Sequence, residues 1–335
     1  MLPSGLSTTP IVSVVIPAFN ASGCIDRAVE SVRAQTLQEF EIVIVDDVST
    51  DDTVAVVERM AAADPRVRLV RSDVNGGPSA ARNRGFLEAK GKWIAILDAD
   101  DAFKPERLET LIARAEAQQL DAIADNIDIH DYHADVTIPR VINRLKTFDG
   151  AYFHLTLEEF LKNDFVESGY QFGLMKPIFR AAFMAENNIS YPTAYRHGED
   201  SFIYSAVLAS KAKMEISKAA YYLYTPTFGP VSRKISEFSR TNTDYIKKAA
   251  SCDDFLSRFA TSISPEARRL VEARKARMLA FREFLITLES RRSLGPVGTV
   301  KRLLQHPSSL QFLPTLILGK VRSMLPFRSN KTTAA

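Results

Sequence analysis

Apolar and polar positions alternate in blocks along the first 130 residues of this chain. Short runs rich in β-branched residues predict five strands, at 11–18, 41–47, 67–72, 92–97 and 121–127. Apolar residues at helical spacing predict four intervening helices, at 22–36, 52–62, 78–90 and 105–119. Because strands and helices alternate through short connections, we expect βαβ units, and therefore an α/β domain with a mostly parallel sheet covered on both faces.

The pattern is less regular after residue 130. Residues 130–154 predict long loops, and the following segments predict helices at 156–163, 180–187 and 199–211, with strand material at 213–225. From 236 to 292 the spacing is helical, with a break at Ser264 and Pro265. We therefore expect an α/β domain over residues 1–225 and a helical region over residues 226–335.

The charge is divided between these two regions. The net charge of +3 combines −9 over residues 1–232 with +12 over residues 233–335. The basic region and the amphipathic stretches at 296–328 favour an anionic membrane surface as a partner. The alternatives to a membrane-binding surface are a solvated helical face and a face docked on the acidic region. Nucleic acid is not expected, because no aromatic residues are interleaved with the basic ones.

Composition narrows the class of protein further. Cys24 and Cys252, the two cysteines, exclude a disulfide framework and are expected to be buried apolar residues. The N-terminus lacks a signal-peptide pattern, and the apolar stretch "FLPTLILG" is too short to span a bilayer. We therefore expect a cytoplasmic protein, peripheral on the inner face of the cell membrane.

Three aspartates follow the fourth predicted strand, in "AILDADDAF". The carboxyl ends of parallel strands share one edge of a sheet, so Asp98, Asp100 and Asp101 should lie near Asn20 and Asp47, which follow the first two strands. Close carboxylates of this kind bind Mg²⁺ or Mn²⁺, usually together with substrate phosphates. The alternative is a solvated turn that caps the next helix.

Four segments together resemble the family 2 glycosyltransferases, over about residues 10–225. These segments are "VSVVIPAFN", "EIVIVDDVSTDDT", "GPSAARNRGFLEAKGKWIAILDADD" and "GEDSFI". The resemblance implies a GT-A fold, with a Rossmann-like sheet flanked by helices, and an inverting transfer of sugar from a nucleotide-diphosphate donor. It also implies that the donor is a UDP-sugar.

On the donor side, the resemblance implies roles only where the motifs match. Pro17, Ala18, Phe19 and Asn20 would line the nucleotide site, and Asp47 would accept a hydrogen bond from the base. Asp98 would face the ribose and, with Asp100, the metal ion, while Asp101 would support this loop or cap the next helix. Arg82 would contact the nucleotide, with a plain surface charge as the alternative.

On the acceptor side, the resemblance implies that Asp200 is the general base and that Glu199 orients the acceptor. The alternative is a charged first turn of the helix at 199–211. His197 could contact the acceptor, although a packed or solvated histidine is the more ordinary interpretation. Two positions depart from the family pattern: Val48 replaces a glycine, and Thr225 replaces an arginine, for which Arg233 or Lys234 could substitute.

The overall pattern is similar to bacterial exopolysaccharide glucosyltransferases of the succinoglycan type. This similarity implies glucose as the sugar and a polysaccharide or lipid-linked oligosaccharide as the acceptor. A nucleotidyltransferase is the rival enzyme, but the Gly-rich Arg-Lys signature of that class is missing. A non-catalytic sugar-nucleotide or membrane-binding module is the other rival, against which the intact Asp98, Asp100 and Asp200 argue.

Overall fold

The structure is a computed structural model that describes residues 9–132, 135–139, 142–164, 172–194, 198–225 and 245–314 of the 335-residue chain. The strands in this part of the chain are β1 Val12–Ala18, β2 Phe40–Asp46, β3 Val67–Arg71, β4 Trp93–Ile96, β5 Ala102–Phe103, β6 Ala122–Asp131, β7 Val136–Ile138, β8 Tyr152–His154, β9 Ile178–Arg180 and β10 Met214–Tyr224. The helices are α1 Ile25–Arg33, α2 Thr53–Ala63, α3 Gly77–Glu88, α4 Arg107–Gln118, α5 Asn143–Lys146, α6 Leu157–Asn163, α7 Ala181–Glu186, α8 Glu199–Ala209, α9 Tyr245–Phe259 and α10 Pro265–Gln305.

These strands form one sheet in the order β3-β2-β1-β4-β9-β6-β10-β5, with β7 beside β6 and β8 beside β10. The strands β3, β2, β1 and β4 are parallel to one another, and β6 is parallel to β10. Between these two groups lies β9, which is antiparallel to both β4 and β6. The α/β prediction is confirmed, and the loops after β1, β2 and β4 meet at one edge of the sheet.

The central strands are covered on both faces, which is why they read as continuous apolar runs in the sequence. One face packs against α1, α2 and α4, through side chains such as Ile25, Val57 and Leu111. The other face packs against α3, α6 and α8 and reaches the C-terminal helices, where Phe284 and Phe312 are buried. Each fully buried aromatic side chain contributes roughly 1.5–3 kcal/mol to stability.

The C-terminal region is helical, as predicted, and it shares its hydrophobic core with the sheet domain. The apolar cluster on the α8 face is continuous with buried residues of α9 and α10. The two cysteines are buried within the two clusters, as predicted. The boundary at residue 225 stays a prediction.

The loop prediction for residues 130–154 is partly wrong, because this stretch contains β7, α5 and β8. The two strands pair antiparallel at the margins of the sheet, β7 with β6 and β8 with β10. Each is only three residues long, and β7 is exposed throughout. Such short strands carry no clear alternation of apolar and polar residues.

The last helix, α10, contains a sharp kink. Gly295 has a φ of 64° and a ψ of 177°, and Pro296 follows it. Glycine adopts this backbone conformation at little cost, and proline starts the next helical segment with its φ already fixed. In the part of the chain that the structure describes, no helix combines the length and the apolar character that a membrane crossing requires.

Candidate active site

The loops after β1 and β2 are tied together at the sheet edge. The last two residues of β1, Pro17 and Ala18, pair in register with Val45 and Asp46. The next residue, Phe19, has 37% of its surface exposed. Pro17, Ala18 and Phe19 therefore lead directly from the buried sheet to its solvent-facing edge.

Asn20 joins the two loops through its backbone and its side chain. Its backbone N–H donates to Ser49 Oγ over 2.9 Å, and its Oδ1 accepts from the backbone N–H of Thr50 over 2.8 Å. Its φ of 49° lies in the left-handed region, which asparagine tolerates better than most residues. Asn20 therefore fixes the shape of the β1 loop against the β2 loop.

Asp47 is buried and holds the start of α3. Its Oδ1 accepts from the backbone N–H of Gly76 over 2.9 Å, and its Oδ2 accepts from that of Gly77 over 2.8 Å. The Asn75 side chain donates to the Asp47 carbonyl oxygen over 2.8 Å. The carboxylate thus binds N–H groups that the first turn of a helix leaves without partners. Contact with a nucleotide base stays a prediction.

Two buried cations connect Asp98 with Asp200. Arg82 Nη2 lies 2.8 Å from Asp98 Oδ1, and Arg82 Nη1 lies 3.5 Å from Asp200 Oδ1. Lys176 Nζ lies 3.2 Å from Asp98 Oδ2 and 2.7 Å from Asp200 Oδ2. Arg82 and Lys176 are each about 5% exposed, so the surface-charge interpretation of Arg82 is wrong. The structure thereby brings the loop after β4 and the first turn of α8 together.

The charges in this cluster control ionisation. Burial opposes the ionised form of Asp98, but the charges of Lys176 and Arg82 outweigh burial and hold the pKa of Asp98 well below its usual range. Burial also opposes the charged form of Lys176, yet Asp200 and Asp98 raise the pKa of Lys176. Asp98 is therefore ionised and Lys176 is protonated at neutral pH.

Glu199 belongs to the same cluster but has a different environment. Its Oε1 lies 3.7 Å from Arg82 Nη1. Burial, together with the charge of Asp200, raises the pKa of Glu199. The side chains of Glu199 and Asp200 are 14% and 19% exposed, so this first turn of α8 is not simply a solvated charged face.

Asp101 supports the loop from inside the protein. Its carboxylate accepts a hydrogen bond from Tyr222 Oη over 2.6 Å and one from the backbone N–H of Thr225 over 2.8 Å, both on the β10 side. It is fully buried, and no side chain caps the start of α4. The prediction that Asp101 caps the next helix is therefore wrong, whereas its supporting role agrees with the contacts.

Asp100 belongs to the same loop and is partly exposed. Its carbonyl oxygen accepts a hydrogen bond from Arg27, whose guanidinium lies 3.7 Å from the centroid of the Tyr132 ring. Burial and the nearby charges of Asp100 and Asp98 raise the pKa of Asp101. The loop therefore holds like charges in close proximity, and a cation at Asp100 would reduce their repulsion.

The fit of a metal ion depends on how many ligands the protein must supply. The described residues contain no group of three or more histidine, cysteine, aspartate or glutamate side chains arranged to hold a metal ion. Mg²⁺ needs only one or two carboxylates when substrate phosphates complete its ligands. Asp100 supplies a partly exposed carboxylate of this kind. Both oxygens of Asp98 contact cations, Arg82 and Lys176.

A second buried ion pair anchors the first turn of α8 to the C-terminal region. Arg274 Nη2, on α10, lies 2.7 Å from Asp164 Oδ2, and Arg274 Nη1 donates to the carbonyl oxygen of Asp164. Ser201 Oγ donates to Asp164 Oδ2 over 2.6 Å, and the Gly173 N–H donates to Oδ1 over 3.1 Å. Asp164 thus links α10 with the residue that follows Asp200.

Sequence reasoning missed Lys176, Asp164 and Arg274. The signal for Lys176 was a single lysine inside an otherwise apolar stretch, "FGLMKPIF", just before β9. Asp164 and Arg274 carry no local signal, because their partners are distant in sequence. His197, Arg233 and Lys234, which were considered as acceptor or diphosphate contacts, lie outside the described residues.

Known proteins share this sequence pattern and this fold. The profile of glycosyl transferase family 2 matches residues 13–183. The succinoglycan biosynthesis protein ExoO of Rhizobium meliloti is 33% identical over 330 residues, which cover 97% of this chain and 90% of that protein. ExoU of the same organism, also a succinoglycan biosynthesis protein, is 34% identical over 214 residues, covering 63% of this chain and 60% of its own length.

Solved structures agree on the fold. Staphylococcus aureus TarS 1–349 in complex with UDP-GlcNAc has a TM-score of 0.61 at 22% identity, covering 84% of this chain and 74% of that one. The mannosyltransferase PcManGT from Pyrobaculum calidifontis, in complex with GDP-Man and Mn²⁺, has a TM-score of 0.53 at 16% identity, covering 95% and 86%. The GT-A prediction is confirmed, and the chain belongs to glycosyl transferase family 2.

Proposed function

We propose that this family 2 glycosyltransferase moves a glycosyl group, with inversion, from a nucleotide-diphosphate sugar to a hydroxyl group of a saccharide acceptor. The observation that carries the proposal is that Asp98 and Asp200 are ion-paired to the same two buried cations. A donor-side carboxylate and a candidate base are therefore fixed on either side of one charge cluster. Such fixed positions are what a reaction between two bound substrates requires.

On the donor side, we assign the nucleotide to the edge formed by the loops after β1 and β2. A UDP-sugar is the proposed donor, and structures similar in fold hold UDP-GlcNAc and GDP-Man. Phe19 is exposed at this edge, and the Asp47 carboxylate, which accepts from the Gly76 and Gly77 N–H groups, is the proposed acceptor for the base. Asp98 and Arg82 lie on the ribose side.

The acceptor and the sugar are proposed from similarity to the succinoglycan biosynthesis proteins. We propose a polysaccharide or lipid-linked oligosaccharide as the acceptor, in exopolysaccharide synthesis, and glucose as the sugar. The family assignment and the intact charge cluster favour this enzyme over a nucleotidyltransferase or a non-catalytic binding module.

In the proposed reaction, Asp200 accepts the proton of the acceptor hydroxyl as its oxygen attacks the anomeric carbon of the sugar. The new glycosidic bond forms on the face opposite the departing diphosphate, and the bond to the diphosphate breaks with its electron pair. Lys176 and Arg82 hold the Asp200 carboxylate in place. Glu199, beside it, is proposed to orient the acceptor.

We assign Mg²⁺ or Mn²⁺ to Asp100, together with the diphosphate of the donor. When bound, the cation would supply charge neutralisation for the leaving diphosphate. Asp98 was also expected to bind the metal, but its two oxygens are held by Arg82 and Lys176. We therefore keep Asp98 as the ribose-side residue and propose Asp100 as the main protein ligand.

The donor-site proposal is tested by measuring UDP binding with Mn²⁺ and with EDTA in the wild-type protein and in Asp100→Ala. Mn²⁺ should tighten UDP binding at least about tenfold in the wild type and should have little effect in the variant. Asp73→Ala, which removes an exposed acid from the loop after β3, is the matched control. Equal UDP affinity with and without Mn²⁺ in the wild type would refute the metal assignment. A screen of nucleotide sugars for hydrolysis identifies the donor.

A second proposal concerns an anionic membrane surface on the cytoplasmic side. After the kink at Gly295, Val297, Val300 and Leu304 are 83%, 56% and 67% exposed and fall on one side of the helix, with the exposed Lys301 nearby. An exposed apolar stripe with adjacent basic residues is typical of helices that lie on anionic membranes.

Replacing Val297, Val300 and Leu304 by serine should release the protein from anionic vesicles in a sedimentation assay. Leu87→Ser is the control, because Leu87 is equally exposed (83%) but lies on α3. Binding that survives the triple substitution would rule out this stripe as the membrane contact.

A further inference from the structure

A cavity lies directly beside the proposed base, between α8 and the C-terminal helices. Its volume is about 330 Å³, which falls in the range of about 300–1,000 Å³ that is usual for ligand sites. Glu199, Asp200 and Ser201 from α8 line one side, and Lys248 and Arg274 from α9 and α10 line another. The C-terminal region, and not only the sheet domain, therefore shapes the space next to Asp200.

The two cations of this cavity differ in how they are compensated. Arg274 forms a buried ion pair with Asp164. Lys248, by contrast, is partly buried, and its Nζ lies 5.9 Å from the centroid of the Tyr245 ring. Within the part of the chain that the structure describes, its ammonium group donates no hydrogen bond and forms no ion pair. An ammonium that is partly withdrawn from water is unfavourable without a counter-charge, so this wall favours a ligand that brings one.

The pKa of Lys248 also indicates that its charged form is poorly compensated. Burial lowers the pKa of Lys248, against the attraction of Glu199, and the charge of Arg274 lowers it further. Of the acids that act on Lys248, Glu199 exerts the larger attraction and Asp164 the smaller. Glu199 forms no ion pair with Lys248 in the described part of the chain and instead lies 3.7 Å from Arg82. The lining thus combines the ammonium of Lys248, which has no ion-pair partner among the described residues, with the proposed base Asp200.

The remaining wall suits the apolar faces of a sugar. The lining includes Leu161, Leu174, Phe202, Phe255 and Met278, contributed by four helices and the turn at 172–174. A pyranose ring presents C–H groups on its faces and hydroxyl groups at its rim, so it can pack on such side chains while its rim meets polar groups. Because apolar side chains form much of the lining, the cavity does not suit a ligand held by ionic contacts alone.

We propose that this cavity binds the acceptor saccharide and that Lys248 Nζ binds an anionic group on it. The group would be a carboxylate of a sugar acid or a phosphate ester, and its charge-assisted bond to Lys248 would set the acceptor at a fixed distance from Asp200. The proposal rests on the proposed function, because it uses Asp200 as the base that meets the acceptor hydroxyl. It makes Lys248 a residue that determines acceptor specificity.

The test measures binding of three small probes to the full chain while a saturating concentration of UDP occupies the donor site. The probes are methyl glucuronide, glucose 1-phosphate and the neutral methyl glucoside, and ligand-observed NMR gives their dissociation constants. At least one anionic probe should bind about tenfold more tightly than the neutral one, about 1.4 kcal/mol. A preference for the glucuronide indicates a sugar acid, and a preference for glucose 1-phosphate indicates a phosphate ester.

Three variants assign this preference to one side chain. In Lys248→Met, the ratio of the dissociation constants of the neutral and the anionic probe should fall to nearly one, whereas Lys248→Arg should retain most of the wild-type ratio. Lys247→Met removes an exposed charge from the same helix and should leave this ratio unchanged. The affinity of each variant for UDP shows, independently of the three probes, whether the variant is folded and its donor site intact. Equal binding of all three probes to the wild type, or a full preference in Lys248→Met, would overturn the proposal, even where UDP binding upholds the donor site.

Discussion

Lys176 Nζ lies 2.7 Å from Asp200 Oδ2 and is almost completely buried. The same ammonium lies 3.2 Å from Asp98 Oδ2, so one lysine neutralises acids that come from two distant parts of the chain. A buried carboxylate without such a partner would be strongly destabilising. The lysine therefore accounts for the close approach of the proposed donor loop and the proposed base.

Replacing Lys176 by alanine should destabilise the protein and weaken UDP binding. The change removes a buried cation from Asp98 and Asp200, whose side chains are 22% and 19% exposed. We expect a loss of about 3 kcal/mol, at the lower end of the cost of breaking a buried ion pair. Lys92→Ala is the matched control, because Lys92 Nζ is also close to a carboxylate, 2.6 Å from Glu116, but is 57% exposed. Its loss should cost about 0–1 kcal/mol. Similar urea midpoints for the two variants would contradict the importance of the buried cluster.

Replacing Val48 by glycine should stabilise the protein. Val48, which stands where the family pattern has glycine, has a φ of 65°, in the left-handed region that β-branched residues avoid. Strain of this kind costs about 1–3 kcal/mol, of which glycine would recover part, so we expect a gain of about 1 kcal/mol by urea unfolding. Val74→Gly, at another exposed valine, which has no positive φ, should be neutral or destabilising. A loss of stability in Val48→Gly would show that the strain is absent.

Replacing Arg274 by methionine should destabilise the protein by about 3–5 kcal/mol, since Asp164 is completely buried and would lose its counter-charge. Lys275→Met on the same helix is the control: Lys275 Nζ lies 2.7 Å from Asp253 Oδ1, but both side chains are exposed. Because Asp164 also holds Ser201, the first turn of α8 should become more mobile in Arg274→Met. Hydrogen exchange of α8 amides that matches the Lys275→Met control would speak against this coupling.

The sheet could be predicted because its parallel strands are buried on both faces and are separated by short, clearly marked connections. Asn20, Asp47 and Asp98 follow the carboxyl ends of parallel strands and therefore lie at one edge of the sheet. This placement follows from the parallel topology alone, so it could be predicted without knowing any tertiary contact. The short antiparallel strands β7 and β8 could not be found, because three residues give no period and their partners lie elsewhere in the chain.

The partners of the site residues could not be predicted either. Asp101 looked like a helix cap because local patterns describe only neighbours, whereas its hydrogen bond reaches Tyr222, 121 residues away. Lys176 is brought to Asp98 by the insertion of β9 between β4 and β6, an antiparallel pairing that no sequence period signals. Chemistry read from motifs therefore identified the acids and Arg82, but it identified neither Lys176 nor the ion pairs that connect these residues.

The central claim is that Asp200 is the base of a glycosyl transfer, and Asp200→Asn tests it most directly. With the donor found in the nucleotide-sugar screen, kcat should fall at least about 10²-fold, because the amide cannot accept the proton. The dissociation constant for UDP should stay within about twofold of the wild-type value, since this group acts on the acceptor side. A variant that turns over at nearly the wild-type rate would contradict the account.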